Sequence, residues 1–228
     1  MTDISLKEMV KHAVHFGHPT HKWNPKMKPY LYGKRHGIHI FDLKKTAESL
    51  LEALDFLANA ARAKKTILFV GTKQQSHVLL QDIQKFTKFP IVTDKWIPGL
   101  LTNFKTIKKR IDFFKDLKEQ DKSGGFEKYT KKEQVKLRKK IQDLSASLSG
   151  VEGMEEVPDI LFVTDIVRDN IAVREARRLK LPVVAIVDSN ADPDLVDYPI
   201  PANDDAIKSL EYILTLVKEA VTAKSAKK

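Results

Sequence analysis

The chain has 228 residues, 42% of them hydrophobic, so it can bury a core of its own. It contains no cysteine, which excludes disulfide bonds, thiolate metal sites and cysteine nucleophiles. No apolar run approaches the roughly 18 residues of a membrane span, and the first residues lack the apolar stretch of a secretion signal. We therefore expect a cytoplasmic protein.

The formal charge is +10 and is unevenly distributed. Residues 101–150 contain 14 Lys and Arg against seven Asp and Glu, whereas residues 151–200 contain five against eleven. Such asymmetry is expected when one surface of a protein meets a polyanion and another does not. The charge pattern therefore favours nucleic-acid binding by the first two-thirds of the chain over a merely solvated surface.

Three continuous apolar runs rich in β-branched residues predict buried strands of a parallel sheet, at 66–71, 159–164 and 183–188. Weaker strands are expected at 38–41, 91–93 and 198–200. Apolar residues at helical spacing predict helices at 43–62, 73–88, 171–179 and 204–220, the last with an N-cap in the stretch Asn203, Asp204 and Asp205. Alternation of strand and helix predicts an α/β fold, a doubly wound parallel sheet in a three-layer sandwich.

Residues 103–149 interrupt this alternation. Two apolar stripes at helical spacing flank the turn Ser123-Gly124-Gly125, which predicts an antiparallel helical hairpin with a coiled-coil seam. We therefore expect a discontinuous α/β domain over residues 1–102 and 150–222, the inserted hairpin over 103–149, and a basic tail over 223–228.

The segment from His15 to His39 interleaves cations with aromatic rings, and its prolines and glycines disfavour a regular element. Cations for phosphates and flat rings for exposed bases are typical of an irregular RNA-binding surface. The alternative is a loop whose aromatic residues pack against the edge of the sheet. The residues expected to contact RNA belong to this segment and to neighbouring basic positions: Lys11, Lys22, Trp23, Lys26, Lys28, Tyr30, Tyr32, Lys34, Arg35, His36, Lys73, Asn103, Lys105, Lys108, Lys109 and Arg110.

Other motifs admit an enzymatic interpretation. The glycine turn at Gly71 lies between a strand and a helix, where phosphate-binding loops occur, but it lacks the spacing of known nucleotide motifs. Asp188, Asp192 and Asp194 could hold magnesium, although a turn stabilised by its own Asp and Asn side chains is favoured. Histidines at 12, 15, 18 and 21 invite a zinc interpretation, which we disfavour because glycine and proline interrupt the segment.

Several ordered motifs resemble those of one family, that of the second protein of the bacterial small ribosomal subunit. They are His15-x-Gly17, Trp23-Asn-Pro-Lys-Met27, Gly37-Ile-His-Ile-Phe-Asp-Leu43, Phe69-Val-Gly-Thr-Lys73, Leu101-Thr-Asn103, Glu175-Ala176, Ile186-Val-Asp-Ser-Asn-Ala-Asp-Pro193 and Asn203-Asp-Asp-Ala-Ile207. The match extends over nearly the whole chain.

The resemblance implies a flavodoxin-like domain with a protruding helical hairpin, bound to small-subunit rRNA between the head and the body of the subunit. It further implies contact with neighbouring ribosomal proteins, including the S-one protein that captures mRNA. It implies no catalysis, and we further expect no cofactor, metal, small-molecule substrate, membrane contact or homo-oligomer. Three rival hypotheses are an α/β enzyme acting on a phosphorylated small molecule, a free regulatory RNA-binding protein, and a module that docks only proteins.

Overall fold

The computed structural model describes residues 4–223, so most of the predicted basic tail lies outside the described residues. A five-stranded parallel sheet forms its centre, with the strand order β5-β4-β6-β7-β8. These strands are β4 (Ile67–Val70), β5 (Ile91–Val92), β6 (Ile160–Val163), β7 (Val183–Val187) and β8 (Tyr198–Pro201). The predicted α/β fold is therefore confirmed, and every strand expected from an apolar run is present.

Helices cover both faces of this main sheet. They are α1 (Leu6–Lys11), α2 (Leu43–Arg62), α3 (Gln74–Thr87), α4 (Phe104–Lys122), α5 (Lys131–Leu148), α6 (Asn170–Arg178) and α7 (Ile207–Thr222). Alternate strand residues enter two separate cores. One core contains the buried residues of α4, α5 and α6, and the other contains those of α1, α2, α3 and α7. We call these two sides the α6 face and the α7 face.

The N-terminal segment forms a second sheet, which corrects the expectation that it lacks regular structure. Strands β1 (Phe16–Pro19), β3 (Ile38–Phe41) and β2 (Leu31–Arg35) pair in antiparallel fashion in that order. The strand expected at 38–41 is therefore present, but outside the main sheet. Hydrophobic alternation in the sequence does not indicate β1 and β2. Strand β2 exposes four of its five residues, and both pairings contain an irregularity in register.

Helices α4 and α5 lie between β5 and β6 and contact each other. The apolar stripe of α4 is buried at Ile107, Ile111, Phe114 and Leu117, whereas α5 fully buries only Leu148. Thr130 and Glu133 form a capping box that begins α5, and Phe126 anchors the connection between the helices.

The predicted N-cap of α7 is wrong in its position. The helix begins at Ile207 after Ala206, which has no capping side chain. The Asn203 side chain instead accepts hydrogen bonds from the backbone N–H groups of Asp205 and Ala206, at 2.9 and 3.1 Å, and stabilises the turn before the helix. None of the helices in residues 4–223 combines the length and hydropathy needed to cross a lipid bilayer.

Two glycines near the end of α5 provide a matched test of packing. A Cβ atom added at Gly150 would lie 2.2 Å from the carbonyl oxygen of Ile91, whereas one added at Gly153 would meet nothing within 4 Å. We expect Gly150→Ala to lower the free energy of unfolding by about 1–3 kcal/mol because β5 must shift. Gly153→Ala should change it by less than about 0.5 kcal/mol. Equal effects in chemical denaturation would contradict this account of the packing.

Candidate nucleic-acid interface

Strand β2 of the N-terminal sheet and the turn that follows it expose a ring and several cations. The side chain of Tyr32, in β2, is 82% exposed, and Lys34, Arg35 and His36 beyond it are also exposed. His36 and Gly37 form the tight turn between β2 and β3 with positive φ angles of 49° and 76°. Because Tyr32 has almost no packing role here, its ring is available for stacking on a base.

The other predicted rings are less accessible. Trp23 is half-buried, and its ring lies 5.0 Å from that of His39 between centroids, while Tyr30 packs against the core of the α6 face. The alternative in which aromatic residues pack against the sheet therefore describes Tyr30 and, in part, Trp23. A shallow hollow in the surface is lined by Trp23, Lys28, Leu31, Tyr32, Gly33, Lys34 and His39.

The predicted cations differ in whether they have an acidic partner. Among the described residues, Lys22, Lys28, Lys34 and Arg35 form no salt bridge. Lys26 is different, because its ammonium group lies 2.8 Å from Asp192 and 2.9 Å from Asp194. Hydrogen bonds to these two carboxylates raise the pKa of Lys26, so the lysine neutralises an acidic turn.

The basic residues at the start of α4 divide in the same way. Lys105, Lys109 and Arg110 are exposed and form no salt bridge with any residue in the described range. Lys108 binds Glu155 and Asp112, the latter at 3.3 Å. Asn103 is exposed and precedes α4 without capping it through its side chain.

Lys11 lies apart from these residues. It ends α1, whose buried residue Met9 belongs to the core of the α7 face, and it pairs with Glu8 at 3.5 Å. The segments around Trp23–Arg35 and α4 instead pack against the core of the α6 face, through Met27 and Ile107. The structure thus brings most predicted residues to one side of the main sheet, with Lys11 as an exception.

Lys73 requires a correction. Its ammonium group lies 2.9 Å from Asp165, 2.7 Å from Asp204 and 2.7 Å from Asp205, and its side chain is only 14% exposed. Burial disfavours the charged lysine, but the attraction of these carboxylates outweighs it and raises the pKa of Lys73. An RNA phosphate would have to displace three carboxylates, so we do not retain Lys73 in the candidate interface.

His18 joins the same cluster from β1. Its Nδ1 atom lies 3.1 Å from Asp188 and its Nε2 atom 3.5 Å from Asp205, and the hydrogen bond to Asp188 raises the pKa of His18. Burial and repulsion by Asp188 and Asp165 raise the pKa of Asp204 to about 8. The cluster therefore holds more buried carboxylates than Lys73 alone neutralises.

The ligand atoms of His18, Asp188 and Asp204 lie within 4.8 Å of one another, so these three side chains could hold a metal ion. The predicted set was different. Asp192 and Asp194 bind Lys26, and the Asp192 side chain accepts a hydrogen bond from the N–H of Asp194, as the turn interpretation requires. Parallel strands share one edge at their carboxyl ends, which could have indicated Asp188 and Asp204 together. His18 belongs to the histidine series that invited a zinc interpretation, but that pattern did not indicate its proximity to Asp188 and Asp204.

The glycine turn at Gly71 serves packing. A Cβ atom there would lie 2.6 Å from both Ser76 Oγ and Thr164 Oγ1. The Ser76 hydroxyl bonds to the carbonyl oxygens of Gly71 and Lys73, at 3.0 and 2.7 Å, and so occupies the turn with the chain's own side chains. This arrangement does not favour the phosphate-binding interpretation of the turn.

Glu175, on α6, holds the segment that leads into α4. Its carboxylate accepts hydrogen bonds from Trp96 Nε1 at 3.0 Å, from the N–H of Gly99 at 2.7 Å, and from the N–H groups of Leu101 and Thr102 at 3.1 Å each. Burial opposes ionisation, but these donors outweigh it and lower the pKa of Glu175. Sequence reasoning missed this role because the partners lie more than 70 residues away.

Comparisons to known proteins identify the family of this chain. A family model described as Ribosomal protein S2 matches residues 9–224. The small ribosomal subunit protein uS2 of Petrotoga mobilis is 47% identical over 97% of this chain and 77% of its own length. The uS2 proteins of Geotalea uraniireducens and Dictyoglomus thermophilum are 45% and 44% identical over 97% of this chain, which covers 86% and 90% of their lengths.

These matches define a class of ribosomal proteins, not of enzymes. The chain belongs to the ribosomal protein S2 family, so the resemblance found in the sequence is confirmed.

The Glu175 carboxylate can be tested by an isosteric change. Glu175→Gln replaces one accepting oxygen with an NH₂ group that faces backbone donors, so we expect the free energy of unfolding to fall by about 2 kcal/mol at neutral pH. Glu156→Gln is the control because Glu156 is exposed and forms no hydrogen bond or salt bridge among the described residues. A loss of stability no larger than that of the control would contradict this role of the Glu175 carboxylate.

The same carboxylate predicts a pH dependence. Because its folded-state pKa lies below the usual 4.5, Glu175 stabilises the folded state above that pH. This contribution is lost as the pH falls through the folded-state pKa. We therefore expect the stability difference between the wild-type chain and Glu175→Gln to shrink below about pH 4.5. Urea denaturation at several pH values between neutral and acidic measures this stability difference. A difference that stays constant would contradict the lowered pKa of Glu175.

Proposed function

We propose that this chain is a structural constituent of the bacterial small ribosomal subunit that binds small-subunit rRNA in the cytoplasm. Its relatives are named as proteins of that subunit. The observation that carries RNA binding is strand β2, which exposes Tyr32, Lys34 and Arg35 within four consecutive residues. A stacking ring next to cations without acidic partners suits single-stranded or irregular RNA.

The second contact we propose is the start of α4, where Lys105, Lys109 and Arg110 are exposed. Together with α5 this helix would act as a basic arm inserted into the α/β domain. Neighbouring proteins of the subunit, including the S-one protein, would dock on the remaining surface, with the chain present as a single copy. No small-molecule substrate or cofactor enters this proposal.

Charge and stacking can be tested separately in the same assay. Small subunits lacking this protein would be mixed with the labelled chain, and binding measured by sedimentation over a range of salt concentrations. Lys34→Gln with Arg35→Gln should weaken binding and reduce the slope of log affinity against log salt by about two, because two phosphate contacts are lost. Lys85→Gln with Lys208→Gln removes the same charge from exposed helical positions on the α7 face and should leave binding unchanged.

Tyr32 supplies the complementary test. Tyr32→Ala should cost about 1–3 kcal/mol of binding free energy without altering the salt slope, whereas Tyr32→Phe should retain wild-type affinity. If neither the cations nor the ring affects binding, the RNA-binding role of the N-terminal sheet fails. If the wild-type chain stays at the top of the gradient at low salt, the ribosomal role itself fails.

A further inference from the structure

Helix α6 exposes positive charge within residues 151–200, which are acidic in composition. Four of the eleven acidic residues in 151–200 are buried: Asp165, Asp169, Glu175 and Asp188. All five basic residues of the same stretch are exposed: Arg168, Arg174, Arg177, Arg178 and Lys180. The charge that solvent meets here is therefore far more positive than the amino-acid count suggests.

Four of the seven remaining acidic side chains of this stretch pair with cations from elsewhere in the described residues, whereas Glu156, Asp159 and Asp197 do not. Glu152 pairs with Lys118 at 2.7 Å, and Glu155 pairs with Lys115 at 3.3 Å and with Lys108. Asp192 and Asp194 share Lys26. By contrast, none of the five basic residues of the stretch forms a salt bridge with a residue in 4–223.

A structural role explains part of this arrangement. Arg177 and Arg178 lie in the last turn of α6, where cations stabilise the negative end of the helix dipole. Arg177 also donates a hydrogen bond to the carbonyl oxygen of Asp194, at 3.0 Å. Helix stabilisation does not account for Arg174, which lies one turn earlier on the same side as Arg178 and next to Ile171, itself 46% exposed.

The position of α6 connects it to both proposed RNA contacts. Its buried residues Ala172, Val173 and Ala176 belong to the core of the α6 face, as do Met27 of the N-terminal segment and Ile107 of α4. At one end of the helix, Arg177 and Lys26 both bind Asp194. Glu175, on the inner side, holds the segment that leads into α4.

We infer that the exposed side of α6, centred on Arg174 and Arg178, binds RNA phosphates between the N-terminal sheet and the start of α4. The inference rests on the proposed function and extends it to a third surface, in a stretch whose composition argued against RNA. Guanidinium groups bind phosphate oxygens through paired hydrogen bonds, and a row of them without acidic partners suits a phosphate backbone. Because the two flanking surfaces are positively charged as well, one RNA that follows all three surfaces is favoured over an acidic protein.

The test uses the full chain and small subunits that lack it. Arg174→Gln with Arg178→Gln should weaken binding about tenfold near physiological salt and lower the salt slope by about two. The control is Lys85→Gln with Lys208→Gln, which removes equal charge from the α7 face. Thermal unfolding of each variant verifies that the fold is retained, and Arg174→Lys with Arg178→Lys should recover most of the salt slope.

Four outcomes are informative. Weaker binding with a reduced salt slope supports the inference. If this variant binds like the wild type while Lys34→Gln with Arg35→Gln does not, the α6 surface is overturned and the proposed function stands. If affinity falls with an unchanged slope, α6 contacts a protein of the subunit and the inference is overturned. If the wild-type chain does not bind the subunits, the proposed function fails first.

Discussion

The buried salt-bridge cluster around Lys73 is the constraint on which the relative placement of the two sheets depends. Lys73 follows β4 and binds Asp165, which follows β6, and Asp204, which follows β8, so one lysine ties the carboxyl ends of three strands together. Asp188, which follows β7, joins them by accepting a hydrogen bond from the N–H of Asp204 at 3.3 Å. His18 then fastens the N-terminal sheet to the same carboxylates. Removing one partner from such a set leaves an uncompensated buried charge, which typically destabilises a protein by about 3–5 kcal/mol. The exposed surface of the N-terminal sheet is held in place by groups that never reach that surface.

Burial determines which charges can act on a partner. Counting residues identified the basic character of the chain but overstates the negative charge at the surface of residues 151–200, because four of the eleven carboxylates there are buried. Glu175 binds backbone donors and Asp188 binds His18, so neither contributes negative charge to the surface. Lys73 is excluded from the candidate interface for the same reason. Its ammonium group is mostly buried among carboxylates and is therefore not available to bind an anion.

The parts of the fold that depend on local pattern could be predicted from the sequence. The apolar runs gave the strands of the main sheet, and helix α2 has the predicted bounds because its apolar stripe is regular and Asp42 caps its first turn. Strand β2 was missed because it is exposed on both sides and carries no alternation. The partners of Glu175 and His18 were missed for a different reason, since contacts between residues more than 70 positions apart leave no signature in a single sequence.

The attachment of β1 also constrains the order in which the chain can fold. The N–H of His18 donates a hydrogen bond to Ser189, 171 residues later, and the imidazole binds Asp188. Gly17 is packed so closely that an added Cβ atom would lie 2.7 Å from the Ser189 hydroxyl oxygen. During synthesis the N-terminal segment emerges first, yet it cannot reach its final position until β7 and the residues beyond it have left the ribosome that makes them. A nascent chain therefore carries its cations and rings for much of its synthesis without the geometry that would align them.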